Sequence, residues 1–144
     1  MLHKIAAWSG AVLLTYIIAA ALVSPFNMAS IEALGMQVPA ASLLAAAWHD
    51  VFHMADLYLP IIAVALLIAF PFAAWLAQRT GIATRLLYPL AGFTALLTIH
   101  ASLYLAFGMS PIAATREWGG LLAQGFAGVC GGIIFYWLLQ RRPA

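Results

Sequence analysis

Long apolar runs alternate with short polar breaks along this chain, and the run lengths set the first expectation. The first run covers about Ala6–Ser24 and stops at Pro25. The second, about Leu57–Leu76, closes on Gln78 and Arg79. A turn around Thr80 and Gly81 leads to the third, about Leu86–Phe107, which breaks at Gly108-Met109-Ser110-Pro111. The fourth, about Trp118–Leu139, ends before Arg141-Arg142-Pro143. Each run approaches the roughly 20 residues that carry a helix across the hydrocarbon of a bilayer. The pattern predicts an all-α integral membrane protein, a four-transmembrane-helix bundle in one domain over residues 1–144.

The segment 25–56 between the first two runs is too long for a turn. Asn27 or Ser30 can cap a short helix over Ala29–Leu34, with Gly35 as its stop. After Pro39 the stretch Ala40–Met54 is again helix-permissive. The expectation is a lid of two short helices at the outer interface. Pro60, Pro71 and Pro89 stand inside the second and third runs. Helices in lipid tolerate them when neighbours re-satisfy the freed carbonyls, and kinks are expected, especially near Pro60.

Composition agrees and adds an orientation. Hydrophobic residues make up 66% of the chain and charged ones 7%, whereas a soluble domain carries about a quarter charged residues. Mean hydropathy is +1.03. Met1–Lys4 is a short basic start, but the apolar run behind it, Ile5–Val23, exceeds the roughly 7–15 residues of a signal-peptide core. An uncleaved first helix is expected. Lys4, Arg79, Arg85, Arg141 and Arg142 fall on one side of a four-helix threading, and only Arg116 on the other. The positive-inside rule therefore puts both termini and the 77–85 turn in the cytoplasm, with a bacterial inner membrane as the expected location. Trp8, Trp75, Tyr88 and Trp137 then mark the inner boundary, and Tyr58, Tyr104 and Trp118 the outer one. A net charge of +2 without a basic stripe offers nucleic acid no footprint. The single cysteine, Cys130, excludes an internal disulfide and any CxxC motif.

Candidate chemistry gathers on the outer side. In Trp48-His49-Asp50-Val51-Phe52-His53-Met54-Ala55-Asp56, the residues His49, His53 and Asp56 stand at i, i+4 and i+7, so one helix would point all three one way. Two imidazoles a turn apart can ligate a divalent ion such as zinc, and a carboxylate a turn further can complete or orient the set. The bland alternative is a solvated polar helix entry. Met28, Met36, Met54 and Met109 also map outside, and thioethers with imidazoles suit copper(I).

His100 lies inside the third run, ~12 Å below Gly108 by helical rise. Ionisable side chains at such depth usually face the bundle interior. Gln124, ~8 Å into the fourth run, and Tyr16, ~12 Å below Ser24, reach similar depth. These three are the candidates for one polar pocket that holds a ligand or simply joins helices, with Gln124 the first partner expected for His100 and Tyr16 the second. A bis-histidine haem between His100 and His49 or His53 is disfavoured. Counting from Arg79 and Arg85, the residue level with His100 is near Val64, ~16 Å from His53.

In the fourth run, Ala123, Ala127 and Gly131 form a small-residue row beside Gly128 and Gly132. Such rows permit close helix contact, either within the chain or with a second copy or partner membrane subunit. No P-loop, GxGxxG, GxSxG or HExxH occurs. Two function classes remain: a protein that binds a metal ion or small ligand at its outer face, for transport, sensing or metal-assisted chemistry, and a non-catalytic subunit or scaffold of a larger membrane complex. Neither reading decides whether the chain is an enzyme.

Overall fold

The computed structural model describes residues 1–141, so Arg142, counted among the basic residues above, lies outside it. The described chain is helical without a strand: α1 (Leu2–Ala21), α2 (Val23–Ala33), α3 (Ala40–His53), α4 (Ala55–Thr80), α5 (Thr84–Phe107), a 3-10 turn (Ala113–Arg116) and α6 (Trp118–Gln140). Four helical stretches are long and apolar enough to cross a membrane: Leu2–Ala33, Ala55–Thr80, Thr84–Phe107 and Trp118–Gln140. They pack up-down-up-down. Lys4, Gln78, Thr84 and Leu139 meet at one end, here called the terminal end. Asp56, Phe107 and Ile112 meet at the other, the loop end.

Local chemistry explains where the helices stop. Gly81 and Gly108 close α4 and α5 in the left-handed conformation (φ 73° and 69°), and their N–H groups bond to Ala77 and Tyr104. A side chain there would be strained, which is why glycine holds both positions. Pro60 and Pro71 sit inside α4, and Pro89 inside α5, without ending either helix.

Pro25 does not end the first helix as the sequence predicted. The chain breaks earlier, at Leu22, and resumes as α2 from Val23. Pro25 is thus the third residue of a new helix. N–H groups in a first turn have no intrahelical partner, so its missing donor is harmless.

α6 is the hub of the packing, against α5 on one side and α1 on the other. A Cβ built on Gly92 of α5 would run into the Gly128 carbonyl, and one on Gly128 into the Gly92 carbonyl. Gly132 abuts the Tyr88 backbone, and Gly131 abuts Thr15 of α1. The small-residue row of the fourth helix is therefore used for contacts inside the chain. Thr15, fully buried, turns its hydroxyl back to the Ala11 carbonyl at 2.8 Å. That bond satisfies it within its own helix. On α4 the buried face is Tyr58, Ile62, Leu66, Phe70 and Ala73, a row at nearly every fourth residue. Faces turned away from the bundle are apolar too: Leu13, Val64, Ile68, Leu90, Leu105 and Phe126 are each more than half exposed.

Candidate functional site

At the loop end, α3 lies against α1 and α2 and is pinned by two polar contacts. Ser24, buried, donates its hydroxyl to the Asp50 carboxylate at 2.6 Å. Tyr16, also buried, donates to the Val51 carbonyl. A single residue, Met54, separates α3 from α4, and its N–H bonds back to the Asp50 carbonyl.

Beneath α3 runs a buried hydrogen-bonded chain through four helices. Tyr58 of α4 holds its hydroxyl 3.1 Å from His100 Nε2 and 2.7 Å from Gln124 Oε1. The Gln124 amide nitrogen reaches the Ala19 carbonyl of α1 at 3.0 Å. Gln124 is fully buried, and Tyr58 and His100 are each 3% exposed.

Donor and acceptor rules fix the polarity of this chain. The Ala19 carbonyl only accepts, so it must face the amide NH2 of Gln124. Gln124 Oε1 then points at Tyr58 and can only accept, so Tyr58 donates its one proton there. The Tyr58 oxygen is left as an acceptor toward His100. His100 must therefore carry its proton on Nε2. In a neutral imidazole the other nitrogen, Nδ1, then has a lone pair. Nδ1 makes no hydrogen bond among the described residues, yet it is not sealed away. The sealed polar side-chain atoms without a partner are His3 Nε2 and Trp8 Nε1. His100 lines a cleft of about 550 Å³ between α5, the 3-10 turn and the start of α6, with Tyr104, Ser110, Thr115, Arg116 and Glu117 around it. Nδ1 is the ring nitrogen left without a protein partner.

Of the residues singled out from sequence, His100 and Gln124 come together, but through Tyr58 rather than directly. Tyr16 does not join them. Its ring packs edge-on to Tyr58 (centroids 6.3 Å, 70°) while its hydroxyl holds α3. Tyr58, expected in an outer aromatic belt, is the centre of the network. Tyr88, assigned to the inner belt, is likewise buried, edge-on to Phe70 and Phe135. Nor is Val64 level with His100. Tyr58 is, so the helical-rise distance from His53 to that level is about 8 Å rather than ~16 Å.

His49 and His53 share a face, as their spacing predicts, with rings stacked at 3.8 Å and 9°. Met54 interrupts the helix between them and Asp56, since α3 stops at His53 and α4 starts at Ala55. His53 Nδ1 bonds to the His49 carbonyl at 2.9 Å, and His49 Nδ1 stands 3.8 Å from Asp50. His53 and Asp56 line a second cleft, of about 560 Å³, on the other side of α5. Among the described residues, no three His, Cys, Asp or Glu side chains converge on a position able to hold a metal ion. Cys130 is free and partly buried.

These features define a class by architecture alone: an all-helical bundle with four membrane-length apolar helices and a buried Gln–Tyr–His chain. Set against known protein families, curated proteins and solved structures, the chain matches none of them.

Proposed function

We propose that this is an integral protein of a bacterial inner membrane, with both termini and the α4–α5 turn cytoplasmic, that binds a metal ion or small ligand at its outer face through His100. Membrane residence is supported by the four long apolar helices and by the apolar residues on their outward faces. The orientation is supported by Lys4, Arg79, Arg85 and Arg141, which gather at the terminal end, against Arg116 alone at the loop end. In this reading α2, α3 and the 3-10 turn form an outer lid.

One observation carries the functional proposal: hydrogen-bond polarity leaves Nδ1 of the buried His100 as a free acceptor, on a residue that lines a cleft. Tyr58 and Gln124 do for this imidazole what outer partners do for a metal-ligating histidine. They fix its tautomer and its orientation. A metal such as zinc or copper(I), or a ligand with an O–H or N–H donor, is what such a nitrogen takes. Glu117, Met109 and Ser110 line the same cleft and offer further ligands. The stacked pair His49 and His53 on α3 is the rival metal-binding position.

The test is ¹⁵N-histidine NMR of the purified protein in lipid nanodiscs, titrated with zinc and separately with copper(I). The expected result is a shift of the His100 Nδ1 signal that saturates at one ion per chain. It disappears in His100→Ala and survives the double substitution His49→Ala/His53→Ala. A response confined to His49 and His53 would move the site to α3. If no histidine responds, the metal reading fails. The chain would then be better described as a scaffold or subunit, a role favoured by the same network acting as a knot between helices.

A further inference from the structure

α3 shows three different sides. Leu43, Ala46, Ala47, Asp50 and Val51 are half-buried, on the side where Asp50 and Val51 bond to α1 and α2. Leu44, Trp48 and Phe52 recur at every fourth residue and form a row along a second side. They are 73%, 68% and 59% exposed, and the Trp48 and Phe52 rings meet edge-on at 5.0 Å. Ser42, His49 and His53 are exposed on the third side, at about 100° per residue around the helix. Large apolar side chains along one flank and polar ones along another make the pattern of a helix lying in a membrane surface.

The depth of the apolar row follows from α4. Counting roughly 20 residues of helix back from Leu76, about 30 Å of hydrocarbon, reaches Leu57. α3 ends at His53, and Met54 alone separates it from α4. Its C-terminal half is also tied to the first membrane-length stretch, by Tyr16 to Val51 and by Ser24 to Asp50. Trp48 and Phe52 therefore stand at the edge of the hydrocarbon, the level at which tryptophan is enriched in membrane proteins. No Lys or Arg occurs between Lys4 and Arg79. Attraction to anionic headgroups thus contributes nothing to α3, and apolar burial has to hold the row.

We propose that α3 is an interfacial helix whose Leu44, Trp48 and Phe52 side chains insert into the outer leaflet, at the boundary between headgroups and acyl chains. The partner is the lipid surface itself. The inference rests on residence in a membrane and not on any ligand at His100. α3 is then held from two sides, by Tyr16 and Ser24 within the chain and by lipid outside it.

The test places a nitroxide on single cysteines introduced into the full chain carrying Cys130→Ala, reconstituted in lipid nanodiscs. Power-saturation EPR then compares collisions with dissolved oxygen and with a water-soluble nickel chelate. Labels replace Ala41 and Leu44 on the apolar flank, and Ser42 and His49 on the polar one. A label at Val64, exposed midway along α4, reports on hydrocarbon. Oxygen should prevail at positions 41 and 44 and nickel at 42 and 49, equally in phosphatidylcholine and phosphatidylglycerol discs. The double substitution Trp48→Asp/Phe52→Asp should raise nickel collisions at position 44 severalfold and leave those at position 64 unchanged. If the Val64 label itself meets nickel, membrane residence fails. With that label in lipid, nickel prevailing at positions 41 and 44, or immersion seen only in phosphatidylglycerol, overturns the α3 proposal alone. Spin–spin broadening at position 44, with access to neither reagent, assigns the row to a second copy of the chain and overturns it as well.

Discussion

Tyr58→Phe is the sharpest perturbation of this protein, because one oxygen atom holds two buried groups at once. The substitution keeps the ring and its edge contact with Tyr16. It removes the acceptor for His100 Nε2–H and the donor to Gln124 Oε1. Both groups stay buried, at 3% and 0% exposure. A buried polar group left unpaired costs about 1–3 kcal/mol, whereas a typical interhelical hydrogen bond in a membrane bundle contributes about 0.6 kcal/mol. Two orphaned groups at the low-to-middle end of the first range give an expected loss of about 2–4 kcal/mol. Gln124→Leu should cost less, about 1 kcal/mol, since the Tyr58 hydroxyl is then released to donate to His100 Nε2. That rearrangement has a signature of its own: the His100 proton must move to Nδ1, and the free acceptor disappears. Equilibrium unfolding in mixed micelles, followed by circular dichroism, gives the energies, and ¹⁵N-histidine NMR gives the tautomer. The reasoning is refuted if Tyr58→Phe unfolds within 0.5 kcal/mol of wild type, on the scale of one interhelical bond. A wild-type His100 protonated on Nδ1 refutes it equally, as does an unchanged tautomer in Gln124→Leu.

Three further outcomes are expected. Gly128→Ala should destabilise the bundle by about 1–3 kcal/mol, because its new Cβ meets the Gly92 backbone, which cannot yield as a side chain can; Gly10→Ala, whose Cβ meets only a Leu138 methyl at 3.0 Å, should cost under about 0.5 kcal/mol in the same assay, helped by alanine's better helix propensity. Ser24→Ala should release Asp50 and raise amide hydrogen exchange across α3 while exchange in α5 and α6 stays unchanged, and equal protection of α3 in both proteins would show that the Ser24–Asp50 bond does not anchor it. A cysteine placed at Thr80 in a Cys130→Ala background should resist an impermeant thiol reagent in intact cells, and labelling from outside would reverse the proposed topology.

The helical architecture was legible because it rests on run length and composition, which sequence carries directly. Four apolar runs became four membrane-length helices, and Gly81 and Gly108 stop α4 and α5 where left-handed backbone is needed. Pro25 does not end the first run, for a local reason. Proline breaks a helix interior but not a first turn, and nothing in the residues around Leu22 announces that a new turn begins there. The site was half legible. Burial of a lone histidine within a long apolar helix is the expectation wherever that helix meets hydrocarbon, and depth alone pairs His100 with Gln124. Depth taken from the centre of the α4–α5 turn hides the intermediary. Tyr58 faces His100 and Phe70 faces Tyr88, twelve residues apart on each helix, so the two helices share one register along their length. That register is offset by six residues from a symmetric hairpin, about 9 Å of helical rise. The linker of residues 81–83, with Gly81 left-handed and Ala83 extended, spans that displacement. A short linker thus decides which polar residues meet in the core. The signal that could have found Tyr58 is its place at the head of the row Ile62, Leu66, Phe70, which makes it a core residue whose hydroxyl needs a buried partner. Once Tyr58 is in the core, the acceptor-only carbonyl of Ala19 is enough to set every proton along the chain to His100.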